Sequence, residues 1–71
     1  MKIIIDYHIS ALRTEKNLSL RALAEKSGVS KSQIDDIENG LYHPTVYTLC
    51  LLSLALGVDP CKLFSLHVTE K

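Results

Sequence analysis

The chain has no tryptophan, a single phenylalanine, two cysteines, two prolines and three glycines, and its eight basic and eight acidic residues cancel. Each scarcity excludes something. So little proline and glycine rules out collagen-like or low-complexity segments. Cys50, in an apolar run, and Cys61, beside Pro60, cannot form a multi-bridge staple framework, so both read as reduced thiols packed in the interior. His8, His43 and His67 have no ligand spacing to either cysteine, and no metal site is expected. No run of about 18 apolar residues exists to span a bilayer, and Met1 to Ile5 is too short for a signal peptide. A soluble, cytoplasmic chain is the expectation. Zero net charge removes the positive excess that usually accompanies nucleic-acid binding. A Gly-rich phosphate loop, a nucleophile with its base and converging carboxylates are all missing, so no enzyme, cofactor or small-molecule ligand is expected.

What is present is helical punctuation. The hydrophobic fraction of 46% is ample for a core, although a chain this short buries only about 60% of its unfolded surface, so residues 1–71 read as one compact domain. Gly28 follows Glu25-Lys26-Ser27, Gly40 follows Glu38-Asn39, and Gly57 follows Leu54-Ala55-Leu56, each where a left-handed cap would end a helix. Asp6, Ser19, Ser30, Thr45 and Asp59 carry the short oxygen-bearing side chains that start helices. Ser30 with Gln33 makes a capping box, and Pro60 suits a first helical position. These signals predict five helices, about Tyr7 to Lys16, Leu20 to Ser27, Lys31 to Asn39, Val46 to Leu56 and Pro60 to Phe64: an all-α, five-helix fold. At the ends, Ile3, Ile4 and Ile5 favour a strand, and Leu66, His67 and Val68 alternate in the same sense. A small β-ribbon, within one chain or between two, is one reading; a loose tail and an early helix start is the other.

Periodicity assigns faces to these helices. Ile9 and Leu12 of the first pack on Leu20, Leu23 and Ala24 of the second. Ile34 and Ile37 turn the third inward, leaving Ser32, Asp35, Asp36 and Asn39 outermost with Lys31 and Gln33 flanking. On the fourth, Leu49, Leu52 and Leu56 form the core face. Tyr47, Leu51 and Leu54 make a second apolar stripe, with Cys50 at its edge. That stripe needs a cover. The chain ends are one candidate, and a second subunit is the expected one, giving a homodimer.

The stretch LSLRALAEKSGVSKSQIDDIENG, Leu18 to Gly40, reads as two short helices joined by a tight glycine turn. Together with Leu12-Arg13, Pro44-Thr45 and Leu56-Gly57-Val58 it resembles the lambda-repressor and Cro-like (XRE) helix-turn-helix family over Ala11 to Phe64. The resemblance implies a five-helix domain that binds double-stranded DNA with its third helix in the major groove, the second lying across it. It implies base-facing positions at Lys31, Ser32 and Asp36, with Gln33 beside them. It sets Ser19, Leu20, Arg21, Asn39 and the Gly40 to His43 loop against phosphate, and pairs Arg13 with Glu38 in an internal salt bridge. Three departures stand out. Leu20 replaces a phosphate-binding glutamine, Ser27 replaces an apolar residue and trims the core, and leucines stand at positions 51 and 54, where the family often has charges.

Asp35 and Asp36 oppose this reading, because they carry negative charge toward a polyanion. Lys31, four residues before Asp35, is expected to neutralise it in part, and a carboxylate at Asp36 can accept from a cytosine amino group. The expectation is a transcriptional regulator, a repressor that binds a palindromic operator as a dimer, weakly per monomer. The alternative is a helix-turn-helix scaffold for protein–protein contact with little or no DNA binding.

Overall fold

The computed structural model describes residues 1–70. The chain runs through strand β1 (Lys2–Tyr7), helices α1 (Ile9–Glu15), α2 (Leu20–Ser27), α3 (Lys31–Glu38) and α4 (Val46–Leu56), a 3-10 helix at Pro60–Leu63, and strand β2 (Phe64–Thr69). Local chemistry sets most of these boundaries. The side-chain oxygens of Ser19, Ser30 and Thr45 accept from the backbone N–H groups of Ala22, Gln33 and Thr48 at 3.0, 3.2 and 3.1 Å, which satisfies donors that the first turn of a helix leaves free. At the other end of α2, Gly28 has φ 79° and donates its N–H to the Ala24 carbonyl at 2.9 Å. A Cβ at Gly28 would meet nothing within 4 Å, so the left-handed backbone alone selects glycine there. Asn17, with φ 58°, closes α1 in the same conformation, which asparagine tolerates better than most residues.

The core is built by all four helices. Ile9 of α1, Leu23 of α2, Ile34 and Ile37 of α3, Leu52 and Leu56 of α4 and Leu63 of the 3-10 helix are buried, and Val29 of the turn joins them. Each such side chain contributes on the order of 1.5–3 kcal/mol relative to exposure. Leu12, Leu18, Leu20, Ala24 and Leu49 pack around them half-buried. Helix α2 lies against both α3 and α4, and the 3-10 helix against α4.

The expectation of an all-α, five-helix fold is overturned, because the two ends of the chain form an antiparallel ribbon running from Lys2↔Thr69 to Tyr7↔Phe64. Two helix assignments fail with it. Strand β1 absorbs Asp6 and Tyr7, so α1 starts only at Ile9, and the residue before it, His8, makes no side-chain cap. His8 instead donates its N–H to the Leu63 carbonyl at 2.7 Å and places Nε2 2.6 Å from the Ser65 hydroxyl. The segment after Pro60 makes only a four-residue 3-10 helix, because Phe64 leaves it in extended conformation to begin β2. Cys61 is exposed in that helix, not packed inside as expected, and Cys50 is half-buried; both are free thiols. The Asp59 carboxylate accepts the Cys61 backbone N–H at 2.9 Å, which holds the Asp59 carboxyl below its ordinary range. Hydrogen bonding of the thiol itself to the Asp59 carboxylate, and the charge of that carboxylate, push the Cys61 thiol up.

The register of the ribbon sorts its side chains. Ile3, Ile5 and Tyr7 share a face with Val68, Leu66 and Phe64, and this apolar face stays partly open, with Ile3, Leu66 and Val68 all more than half exposed. On the opposite face His67 Nε2 lies 3.0 Å from Asp6 Oδ2. Among the described residues no helix is long and apolar enough to cross a membrane.

Candidate nucleic-acid interface

Helix α3 is oriented by what it buries. Ile34 and Ile37 are fully enclosed, and at about 100° per residue this turns Lys31, Ser32, Asp35, Asp36 and Asn39 to solvent, all of them exposed, with Gln33 half-buried. Glu38 is the exception among the charged residues. Its carboxylate receives Arg13 Nε at 2.9 Å and Arg13 Nη2 at 3.1 Å, while Arg13 Nη1 donates to the Leu18 carbonyl at 2.9 Å. The side chains of Arg13 and Glu38 are only 17% and 8% exposed, and the hydrogen bond to Glu38 raises the Arg13 pKa above its ordinary value. One guanidinium therefore ties α1, the α1–α2 turn and the end of α3 together with fork geometry. The outward face of α3 cannot roll without breaking it.

Around that face stand the other residues set against phosphate in the sequence. Ser19 and Arg21 are exposed at the start of α2, whose first amides have no intrahelical partner. Leu20, between them, is half-buried and packs on the core. At the far end of α3, Gly40 and Leu41 donate their N–H groups to the Ile37 and Asp36 carbonyls at 3.1 and 2.8 Å, a Schellman closure that aims the loop toward His43. His43 is exposed. Its Nδ1 lies 2.9 Å from the Tyr7 hydroxyl, with the two rings 5.8 Å apart and tilted by 50°.

The negative charges on α3 have different surroundings from those expected. Among the described residues Lys31 forms no ion pair with Asp35. Asn39 Nδ2 reaches back to donate to the Asp35 carbonyl at 2.9 Å and to its Oδ1 at 3.3 Å. The Asp35 charge adds to the raising of the Arg13 pKa, after the hydrogen bond and the charge of Glu38. Ser27, read in the sequence as a small loss to the core, has a positive role: it is buried, and its hydroxyl accepts the Val29 N–H at 3.1 Å. This bond fixes the turn between α2 and α3, and serine's habit of bonding the backbone two residues on is the signal that identifies it. Tyr7 was not anticipated at all, because the sequence placed it in a helix.

On α4, Tyr47 and Leu54 are 73% and 79% exposed, and Val46 adjoins them at 76%. Leu51 differs from its expected neighbours: it is half-buried and packs on the core. The chain ends pair with each other and leave Leu54 open.

A family model described as helix-turn-helix, HTH_3, matches residues 9–63. The immunity repressor protein of Bacillus phage phi105 is 39% identical over 55 residues, which make up 78% of this chain but only 38% of that protein. The uncharacterized HTH-type transcriptional regulator y4dJ of Sinorhizobium fredii is 35% identical over 63 residues, covering 89% of this chain and 82% of that one. Among solved structures, the restriction-modification controller protein C.AhdI from Aeromonas hydrophila superposes with a TM-score of 0.75 at 31% identity, covering 78% of this chain and 83% of that one.

Proposed function

The chain belongs to the HTH_3 helix-turn-helix family, and from that premise we propose that it is a DNA-binding transcriptional regulator, a repressor that holds a palindromic operator as a homodimer. The observation that carries this reading is the outward face of α3, locked by the Arg13–Glu38 clamp and flanked by the start of α2 and the His43 loop. Lys31, Ser32, Gln33 and Asp36 read bases in the major groove, and Asp36 takes a cytosine amino group. Ser19, Arg21, Asn39 and His43 position the phosphate backbone. The sign of regulation is drawn from the phage immunity repressor. Because Asp35 and Asp36 remain exposed on the reading face and few cations surround it, each monomer binds weakly. Pairing two α3 helices about 34 Å apart then supplies affinity and symmetry together. The exposed Tyr47 and Leu54 of α4 form the contact between subunits, with Leu51 at its inner margin.

A second reading, a helix-turn-helix scaffold that binds another protein, is favoured by those same exposed carboxylates. Titration of a labelled promoter-region duplex and of a random-sequence duplex at two salt concentrations separates the two. Binding that weakens as salt rises supports the regulator; absence of binding to either duplex at low salt refutes it and leaves the scaffold.

A further inference from the structure

All three histidines make a side-chain contact with the β1–β2 ribbon: His8 with Ser65, His67 with Asp6 and His43 with Tyr7. Only His43 also belongs to the loop that the proposed function sets against phosphate. The contact joins residues far apart in the chain, the last residue of β1 and the loop between α3 and α4, and Tyr7 itself is half-buried and packed on the core. It is therefore a fixed post beside an exposed ring.

A neutral imidazole has one donor nitrogen and one acceptor nitrogen, and a hydrogen bond to one decides the role of the other. Burial pushes the Tyr7 pKa up, so the phenol keeps its proton at neutral pH, and at 2.9 Å from Nδ1 it has both an O–H to donate and lone pairs that accept. When the phenol donates to Nδ1, the imidazole proton resides on Nε2, the nitrogen that faces away from Tyr7. We propose that Tyr7 donates its O–H to His43 Nδ1 and is thereby a positioning residue for DNA binding, holding His43 in the Nε2–H tautomer and orienting that N–H toward the phosphate backbone. The device rests on the regulator reading above. It supplies a neutral, oriented donor on a protein with few cations near its reading face, and it places the β-ribbon in the DNA-binding machinery without any ribbon residue touching DNA.

The test uses Tyr7→Phe, which keeps the ring, together with His43→Ala and the double variant. Affinity for a random-sequence duplex is measured at low salt and at a pH well above the imidazole range, and fold integrity is checked by thermal melting. Each single variant should bind roughly three- to tenfold more weakly, the worth of one neutral hydrogen bond. The double variant should bind no more weakly than His43→Ala, because Tyr7 acts only through His43. The slope of affinity against salt should not change, since no charge is removed. In the free protein, nitrogen-15 spectra of the His43 ring should show Nδ1 as acceptor and Nε2 protonated in the wild type, with averaging of the two tautomers in Tyr7→Phe. Unchanged ring spectra in Tyr7→Phe, equal affinity of that variant, or additive losses in the double variant would each overturn the inference. A wild-type protein with no affinity for the duplex would overturn the regulator reading and this role with it, whatever the ring spectra show.

Discussion

Replacing Glu38 with leucine tests the clamp that orients the reading helix. The substitution removes the acceptor of two charge-assisted hydrogen bonds and leaves the Arg13 guanidinium, whose side chain is 17% exposed, with only the Leu18 carbonyl among the partners that it has in the folded chain. Breaking a buried pair from one side costs on the order of 3–5 kcal/mol. The remaining bond to Leu18 and the partial access of water to Arg13 reduce this, so about 2–4 kcal/mol is the expectation, against a total stability of about 4–10 kcal/mol for a chain of this length. With a urea slope near 1 kcal/mol/M, the midpoint should fall by about 2 M or more. Far-ultraviolet circular dichroism is the suitable probe, since the chain has four helices and no tryptophan. Arg13→Met should cost a comparable amount. The double variant should cost less than the two singles added together, because it strands no charge. Two singles that each lose less than about 0.5 kcal/mol and add independently would refute the claim that this pair fixes α3.

Other consequences follow from particular residues. Gly28→Ala should lose about 1 kcal/mol by urea titration, because φ 79° penalises a Cβ more than the stiffer unfolded chain compensates. Lys31→Ala should relax discrimination at a single base pair, as a base contact requires, whereas uniform weakening across sequences with a salt slope lower by about one would contradict that role and set Lys31 against phosphate. A Tyr47→Glu, Leu54→Glu variant should sediment as a folded monomer, and an intact dimer would exclude that face of α4. Asp59 has its carboxyl held low by the Cys61 N–H, so its contribution is complete above the ordinary carboxylate pKa of about 3.9 and is lost as pH falls through the lower folded value. Asp59→Asn should therefore flatten the acid limb of the melting temperature, and an unchanged acid limb would contradict it.

The parts of this molecule that are readable in the sequence are those decided within one helical turn. Helices α2 and α4 begin and end where Ser19, Gly28, Thr45 and Gly57 place them, because a cap is a bond between near neighbours. The ribbon is different. Ile3 to Ile5 have strand propensity, but whether it is realised depends on Leu66 and Val68 at the other end of the chain, and Asp6 looks like a cap until Tyr7 is drawn into β1. The same long-range pairing hides the Tyr7–His43 contact. Leu51 shows the limit of a periodic pattern: it lies at the margin of the buried face of α4 and is half-covered, whereas Leu54, nearly opposite Leu52, is open. For the interface, the inward pair Ile34 and Ile37 made the outward face of α3 legible. The bond from Asn39 to Asp35, which occupies a carboxylate assigned to Lys31, was not, because it depends on side-chain rotamers.

The central claim is that α3 reads DNA as one half of a symmetric pair. Selection of bound sequences from a pool of random duplexes tests it most directly. The account predicts one enriched motif made of two inverted half-sites about 10 base pairs apart, centre to centre, and loss of the enrichment with Ser32→Ala, Asp36→Ala. A pool that emerges unenriched after repeated rounds at low salt would contradict it.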